Sequence, residues 1–306
     1  MSEIDGSLDV SSENSTNVRP RDRGDAIPAA LKAARAALQV AAAASPDVAA
    51  RLAERIFTTV RRAPRPAREL EALARARHFL IPSEGAPLAA WEWGEAGPRV
   101  LLVHGWEGRG SQLAPIGERL AALGFRAVAF DAPAHGDTPG ATCTFFDVAN
   151  AIQHAARALG PLHAIVAHSM GGAALTWAVR SHGLAKRYVV IAPPADLRDF
   201  SRGFARMMGL SDDLRARMEQ RIEERYDVSL EDVVTEKTAA TQYAPLLVVH
   251  DLGDQEVPFD KGRRLADAWP GATLMRTEGL GHRRILRERE VVRAVERFVA
   301  WGLEPS

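Results

Sequence analysis

The chain has 306 residues, 46% of them apolar and 25% charged, and its 39 basic residues cancel its 39 acidic ones. These fractions exclude wholesale disorder and fibrous architecture. A chain with no surplus positive charge also lacks the footprint of a general nucleic-acid binder. Its single cysteine, Cys143, excludes an internal disulfide framework and fits a reducing compartment, so a cytoplasmic protein is expected.

Residues 1–25 carry six acids against three arginines, are rich in Ser and Asn, and read as a disordered tail. A secretory leader needs a basic start followed by an apolar run, and this segment has neither. Residues 26–78 read as a helical extension. From Ile27 to Ala44 the chain is nearly all Ala with Leu and a few basic residues, a helix by propensity. It is too short and too weakly apolar for a membrane span, and no integral membrane segment is expected. Ser45-Pro46-Asp47 is a helix start, after which Val48, Leu52, Ile56, Phe57 and Val60 share one face. A break at Ala63-Pro64-Arg65-Pro66 leads to a further helix from Ala67 to His78. Between Arg51 and His78 stand eight arginines against three glutamates. Two readings follow: an arm making weak contact with a membrane or partner surface, or an extension packed on the main domain with a solvated arginine face.

From residue 79 to the end the rhythm changes. Short apolar runs (Leu88–Trp93, Arg99–His104, Arg126–Asp131, Ala164–His168, Tyr188–Pro193, Pro245–Asp251 and Thr273–Thr277) alternate with helical segments. The helices expected are Ser111–Leu123, Phe146–Leu159, Met170–Ser181 and Glu288–Trp301. This alternation predicts an α/β domain with a mostly parallel sheet covered by helices on both faces. Residues 195–244 break it with helical spacing and no convincing strand, which predicts a helical cap insertion.

The residues that carry chemistry lie at the ends of these runs. Ala164–His168 is an apolar strand that runs into Ser169 and then a helix starting near Met170. A nucleophile elbow needs small neighbours because the serine sits on a strained strand-to-helix turn. Here G-x-S-x-G is met as Ala167-His168-Ser169-Met170-Gly171. A serine before a helix can also be a simple cap, so the motif needs company. Val100–His104 ends in His104-Gly105-Trp106, with Gly108 and Gly110 behind. Such a loop can turn the Trp106 N–H, with the Met170 N–H after the serine, toward a reacting oxyanion. His104 reads as a structural loop histidine. Glu107 and Arg109 follow that loop, either facing substrate or as an exposed charged loop. Asp251 and Asp254 come just after a late strand, and His282 sits in a Gly-flanked loop after the next one. The chain order Ser, Asp, His is one of those known for a catalytic triad.

These pieces resemble the α/β-hydrolase superfamily, in particular its serine esterase and lipase-like members. The resemblance rests on His104-Gly105, Asp131-Ala-Pro-Ala-His135-Gly136-Asp-Thr138, the Ser169 elbow, His250-x-x-x-Asp254-x-x-Val257-Pro258 and Gly281-His282, and it runs from about residue 85 onward. It implies an α/β-hydrolase fold with Ser169 as nucleophile, His282 as base and Asp254 as orienting acid. Asp251 stands where the family usually has Gly and is a rival for the acid. No cofactor is implied. Metal catalysis has no support in His-Glu-x-x-His or Cys-x-x-Cys motifs, and Cys143 lies outside the elbow. The expected activity is cleavage of small or medium carboxylic esters, a small-molecule acyl substrate, through an acyl-enzyme. Acyl transfer, perhydrolysis, thioester cleavage and peptide cleavage use the same triad, and a non-hydrolytic ligand-binding protein shares the fold. In the cap, Phe200, Phe204, Met207, Met208 and Leu210 fall at helical spacing, which favours cap core over an acyl pocket.

Overall fold

The structure, a computed structural model, describes residues 29–302, so the tail read over residues 1–25 lies outside it. Helix α1 (Ala29–Ala44) is followed across Ser45 by α2 (Pro46–Thr58), with Pro46 in the first turn, where a missing N–H costs nothing. These helices do not stand apart as an arm. Leu38 of α1 and Ala53 of α2 share one apolar cluster with Phe204, Met208 and Met218. The Phe57 and Phe204 rings lie 5.1 Å apart. Buried Glu54 pairs with Arg221 at 2.7 Å and also with Arg225.

The helix expected from Ala67 to His78 ends sooner. Helix α3 spans Ala67–Ala74, and Arg77–Ile81 is a strand, β1, so a boundary at residue 78 falls inside a strand. The reason is pairing: β1 runs antiparallel along β2 (Leu88–Trp93) at the sheet edge and stays largely exposed. Edge strands carry charged residues readily, and helix-favouring residues next to them hide the signal.

The remaining elements follow the alternation. They are β3 (Arg99–Val103), α4 (Ala114–Ala121), β4 (Arg126–Phe130), α5 (Phe145–Leu159), β5 (Leu162–His168), α6 (Met170–Ala178) and β6 (Ala185–Ile191). Residues 195–244 hold α7 (Arg198–Met208), α8 (Asp212–Tyr226) and α9 (Thr235–Ala239), with an isolated bridge between Asp196 and Val234. After β7 (Leu246–Asp251) comes α10 (Phe259–Ala268), a helix the sequence reading did not delimit. The chain closes with β8 (Thr273–Thr277), α11 (Gly281–Arg284) and α12 (Arg289–Ala300). Among the described residues no helix is long and apolar enough to cross a membrane.

The eight strands form one sheet in the order β1-β2-β4-β3-β5-β6-β7-β8. β2 pairs antiparallel with β1 and β4, and every other pair is parallel. Alternate residues of each strand feed the two faces: Leu101 and Val103 pack with α5 and α6, while Val100 and Leu102 pack with α4 and α12. Both faces are covered, which is why the strands read as continuous apolar runs rather than as alternating ones. The chain order reverses around β3, with β4 on one side and β5 on the other. In such sheets the carboxyl ends beside the reversal form the binding crevice. The loops after β3 and β5 meet there.

Five of the eight extension arginines are tied to the body of the protein. Arg61 pairs with Glu107, Arg65 with Asp131 and Asp137, Arg75 with Glu118, and Arg77 with Glu92, while Arg62 donates to the carbonyls of Ala134, Thr138 and Gly140. Thr59 bridges Thr142, and the Cys143 N–H donates to the Thr58 carbonyl at 2.8 Å. Through these contacts the extension packs against the sheet domain. Arg109 is not an exposed loop residue either. It is buried against buried Glu69 of α3, at 2.6 and 3.1 Å, and Ser111 Oγ donates to the same carboxylate at 2.6 Å. Burial would raise the Glu69 pKa, but these donors outweigh it and hold the carboxyl below its ordinary range. Glu69→Ala strands a buried guanidinium, and the expected loss is about 3–5 kcal/mol in denaturant unfolding. Glu69→Leu with Arg109→Met removes both charges and should recover most of it. A double variant as unstable as the single one would contradict this account.

Candidate active site

Strand β5 is buried along its whole length and delivers Ser169 at its carboxyl end, with φ 53° and ψ −126°. That conformation is costly for a residue with a Cβ and persists only where the surroundings impose it. Here the Ser169 N–H donates to the Ile191 carbonyl of β6 at 2.8 Å, and α6 begins at the next residue. The crowding that demands small neighbours is visible at Gly105, where a Cβ would stand 2.8 Å from the Ser169 Cβ. A Cβ on Gly171 would run into the His104 carbonyl oxygen. The alanine that replaces the first glycine of the pattern, Ala167, is fully buried within the sheet.

His282 is the second residue of α11, and its Nε2 lies 2.9 Å from Ser169 Oγ. Its Nδ1 lies 2.7 Å from Asp254 Oδ2. All three side chains are buried. The other Asp254 oxygen, Oδ1, accepts from the N–H groups of Glu256 at 2.8 Å and Val257 at 2.9 Å. Burial pushes the Asp254 carboxyl up, but bonding from His250, His282 and the Val257 N–H wins and holds it far below the ordinary carboxylate range. Asp251 has a different place. Its carboxylate accepts from Thr277 Oγ1 at 2.8 Å and from the N–H groups of Leu280 at 2.9 Å and Gly253 at 3.0 Å. It ties the end of β8 to the loop that carries His282, and its contacts are with the loop rather than with the imidazole.

The β3 loop is held by His104. The Ala132 N–H donates to its Nε2 at 2.9 Å, which leaves Nδ1–H to donate to the Gly105 carbonyl at 2.7 Å. Burial pushes its pKa down to about 4. The loop brings Gly105 against Ser169. The backbone N–H groups of Trp106 and Met170 have no protein acceptor among the described residues.

Two more histidines support the arrangement, and the sequence reading gave neither a role here. His168, the residue before Ser169, donates through Nε2–H to the His282 carbonyl at 2.9 Å. Its ring lies 4.7 Å from the His282 ring. His250 donates through Nε2–H to the Val257 carbonyl at 3.0 Å and stands 3.5 Å from Asp254 Oδ2. Their signals were adjacency: one residue before Ser169, and four before Asp254. Phe200 and Met207, read as cap core, are partly exposed instead, and Phe200 borders the cleft that contains Ser169. Phe204 and Met208 do join the core. Cys143 is buried away from the elbow, and burial raises its thiol pKa well above the usual value.

These histidines make the fold acid-sensitive. His168 and His135 are pushed down to about 3, mainly by burial, and His104 to about 4. An unfolded histidine titrates near 6.5. Between about pH 6.5 and 4 the unfolded chain therefore binds more protons than the native one, so stability is full above this window and falls as pH drops through it. The expected slope is about 1.4 kcal/mol per pH unit for each such histidine, read from urea midpoints between pH 7.5 and 5. A flat profile would refute the neutral, buried assignment.

Comparison with known proteins agrees with the fold. The profile described as the Alpha/beta hydrolase family matches residues 100–295, well over half of the chain. Among curated proteins none matches the sequence. Several solved structures are similar. The Pyrococcus furiosus esterase has a TM-score of 0.61 at 17% identity, covering 79% of this chain and 99% of its own. Est1E from Butyrivibrio proteoclasticus, solved with ferulic acid bound, has a TM-score of 0.58 at 18% identity, covering 74% of this chain and 98% of its own. An esterase from Exiguobacterium antarcticum has a TM-score of 0.56 at 20% identity, covering 73% of this chain and 99% of its own. The parallel sheet, the turn at Ser169 and the family match over residues 100–295 lead to one conclusion, that the chain belongs to the alpha/beta hydrolase family.

Proposed function

We propose that the protein is a serine hydrolase that cleaves small or medium carboxylic esters through an acyl-enzyme on Ser169. The observation that carries this reading is the unbroken relay Ser169 Oγ–His282 Nε2 at 2.9 Å and His282 Nδ1–Asp254 Oδ2 at 2.7 Å. His282 takes the Ser169 proton as Oγ attacks the ester carbonyl. Asp254, ionised, keeps the imidazole in the tautomer whose Nε2 accepts and stabilises the imidazolium that forms. The Trp106 and Met170 N–H groups, without acceptors among the described residues, are assigned to the oxyanion, where one donor is worth about 3–4 kcal/mol of barrier. His282 then protonates the departing alcohol, and water, deprotonated by the same imidazole, releases the acid. Helices α7–α9 form a cap whose Phe200 walls the cleft, and α1 and α2 buttress that cap from behind. The lone buried Cys143 takes no part, and a chain with one cysteine suits a cytoplasmic setting.

A chain-length series of 4-nitrophenyl esters tests this reading. Acetate and butyrate should be turned over well above buffer, with kcat/KM falling beyond about ten carbons. Absence of turnover across the series would refute the esterase reading, and a preference for the longest chains would refute the substrate size.

A further inference from the structure

The cleft that holds Ser169 and His282 has a volume of about 870 Å³. Its wall carries eight arginines and four glutamates. Each glutamate is already matched by one of those arginines: Glu107 by Arg61, Glu118 by Arg75, Glu69 by Arg109 and Glu256 by Arg283. The four arginines left over are Arg62, Arg68, Arg284 and Arg287, and among the described residues none of them has a carboxylate within salt-bridge distance. Arg62 and Arg284 spend donors on backbone carbonyls, which fixes the guanidinium without cancelling its charge. Arg68 and Arg287 are exposed and have no hydrogen bond among the described residues. The whole chain has equal numbers of acidic and basic residues, so this is a local concentration of charge and not general basicity.

Two segments far apart in sequence build this positive wall. Arg62 comes from the stretch joining α2 and α3 and Arg68 from the first turn of α3, while Arg284 and Arg287 come from the segment just after His282. They flank the same opening. A concave wall of one sign focuses its field into the cleft and raises the local concentration of oppositely charged ligands. Guanidinium groups also meet carboxylate and phosphate oxygens with two donors at once. A neutral alkyl ester gains nothing from such a wall, and an anionic one gains both in encounter and in bound orientation.

We propose that the substrate is an ester or thioester bearing an anionic group, a carboxylate or a phosphate, which the Arg62, Arg68, Arg284 and Arg287 wall receives while the acyl carbonyl reaches Ser169. This inference rests on the ester-hydrolase reading above and narrows it. The anion can sit on either half of the substrate, and two matched pairs separate these cases. Mono(4-nitrophenyl) adipate against 4-nitrophenyl hexanoate places a carboxylate on the acyl half. Hexanoyl-coenzyme A against hexanoyl-N-acetylcysteamine places phosphates on the leaving half.

In at least one pair the anionic member should have the higher kcat/KM, by about ten-fold near 20 mM salt, and the gap should shrink near 500 mM, where the Debye length is only a few ångströms. The Arg68→Glu, Arg287→Glu double variant changes two exposed side chains and should bring the ratio to one or below. Neutral members preferred in both pairs, or a ratio unmoved by salt and by charge reversal, would overturn the proposal. Should no compound be turned over, the esterase reading fails and the charge inference is decided separately by equilibrium dialysis on Ser169→Ala protein. Binding of adipate monoester or hexanoyl-coenzyme A about ten-fold tighter than in the charge-reversed protein supports it, and equal binding refutes it.

Discussion

Replacing Ser169 with alanine is expected to lower kcat for 4-nitrophenyl butyrate by at least about ten-thousand-fold while leaving the protein folded. Covalent catalysis has no substitute for the lost oxygen, because Cys143 is buried elsewhere with its thiol pKa raised. What survives is binding and the oxyanion donors, which alone leave a residual rate in enzymes of this kind. The structural consequence is small. Ser169 Oγ bonds to His282 Nε2, and the turn itself is held by the backbone bond to Ile191 and by contact with Gly105. An unpaired His282 keeps its Asp254 partner. Thermal midpoints within about 3 °C of the parent are therefore expected, since a few tenths of a kcal/mol shift Tm by no more than this. Turnover retained near the parent level would move the chemistry away from Ser169.

Asp254→Asn has the second largest expected effect, about a thousand- to ten-thousand-fold in kcat, and the reason lies in which oxygen is already spoken for. Oδ1 accepts two backbone N–H groups, from Glu256 and Val257. An asparagine keeps those bonds only by placing its carbonyl oxygen there, which turns its NH2 toward His282 Nδ1. The imidazole must then accept at Nδ1 and carry its proton on Nε2, where it cannot receive the serine proton. Asp251→Asn should behave differently. Either orientation of its amide sets an NH2 against a backbone N–H, of Gly253 or of Leu280, in a buried site. That costs about 1–3 kcal/mol of stability, with kcat reduced by about ten-fold or less as the His282 loop loosens. The two variants thus separate by readout: rate for Asp254, unfolding for Asp251. The reverse pattern would exchange their roles.

Much of the frame was legible because the signals are local. The apolar runs of β3 to β7 announce a sheet buried on both faces, and the turn after β5 announces itself by Ser169 and its small neighbours. Asp254 and His282 were readable from their place just beyond successive strands. The preference for Asp254 over Asp251 came from the resemblance, through its spacing to Val257-Pro258, because no local pattern tells which carboxylate the fold turns toward a ring 28 residues further along the chain. The edge strand β1 was lost because its residues face solvent and follow directly on a helix of Ala, Glu and Arg. The contact of His168 with the His282 carbonyl spans 114 residues and has no trace in local pattern.

The arginines of the extension show the same limit. As a sequence they were a basic stripe with two possible fates, and only tertiary placement assigns each guanidinium. Some neutralise Glu107 and Glu118, some cap carbonyls, and a remainder faces the opening beside Ser169. A zero net charge therefore conceals a local asymmetry: four arginines with no carboxylate partner among the described residues line the cleft that contains Ser169.

The central claim, an activated nucleophile at Ser169, is tested most directly by locating the adduct of a fluorophosphonate probe. Intact mass followed by peptide mapping of the labelled protein should find one modification, on Ser169, with labelling slowed by at least about a hundred-fold in His282→Ala. No adduct on the folded protein, or an adduct on another residue that persists in Ser169→Ala, would contradict the account.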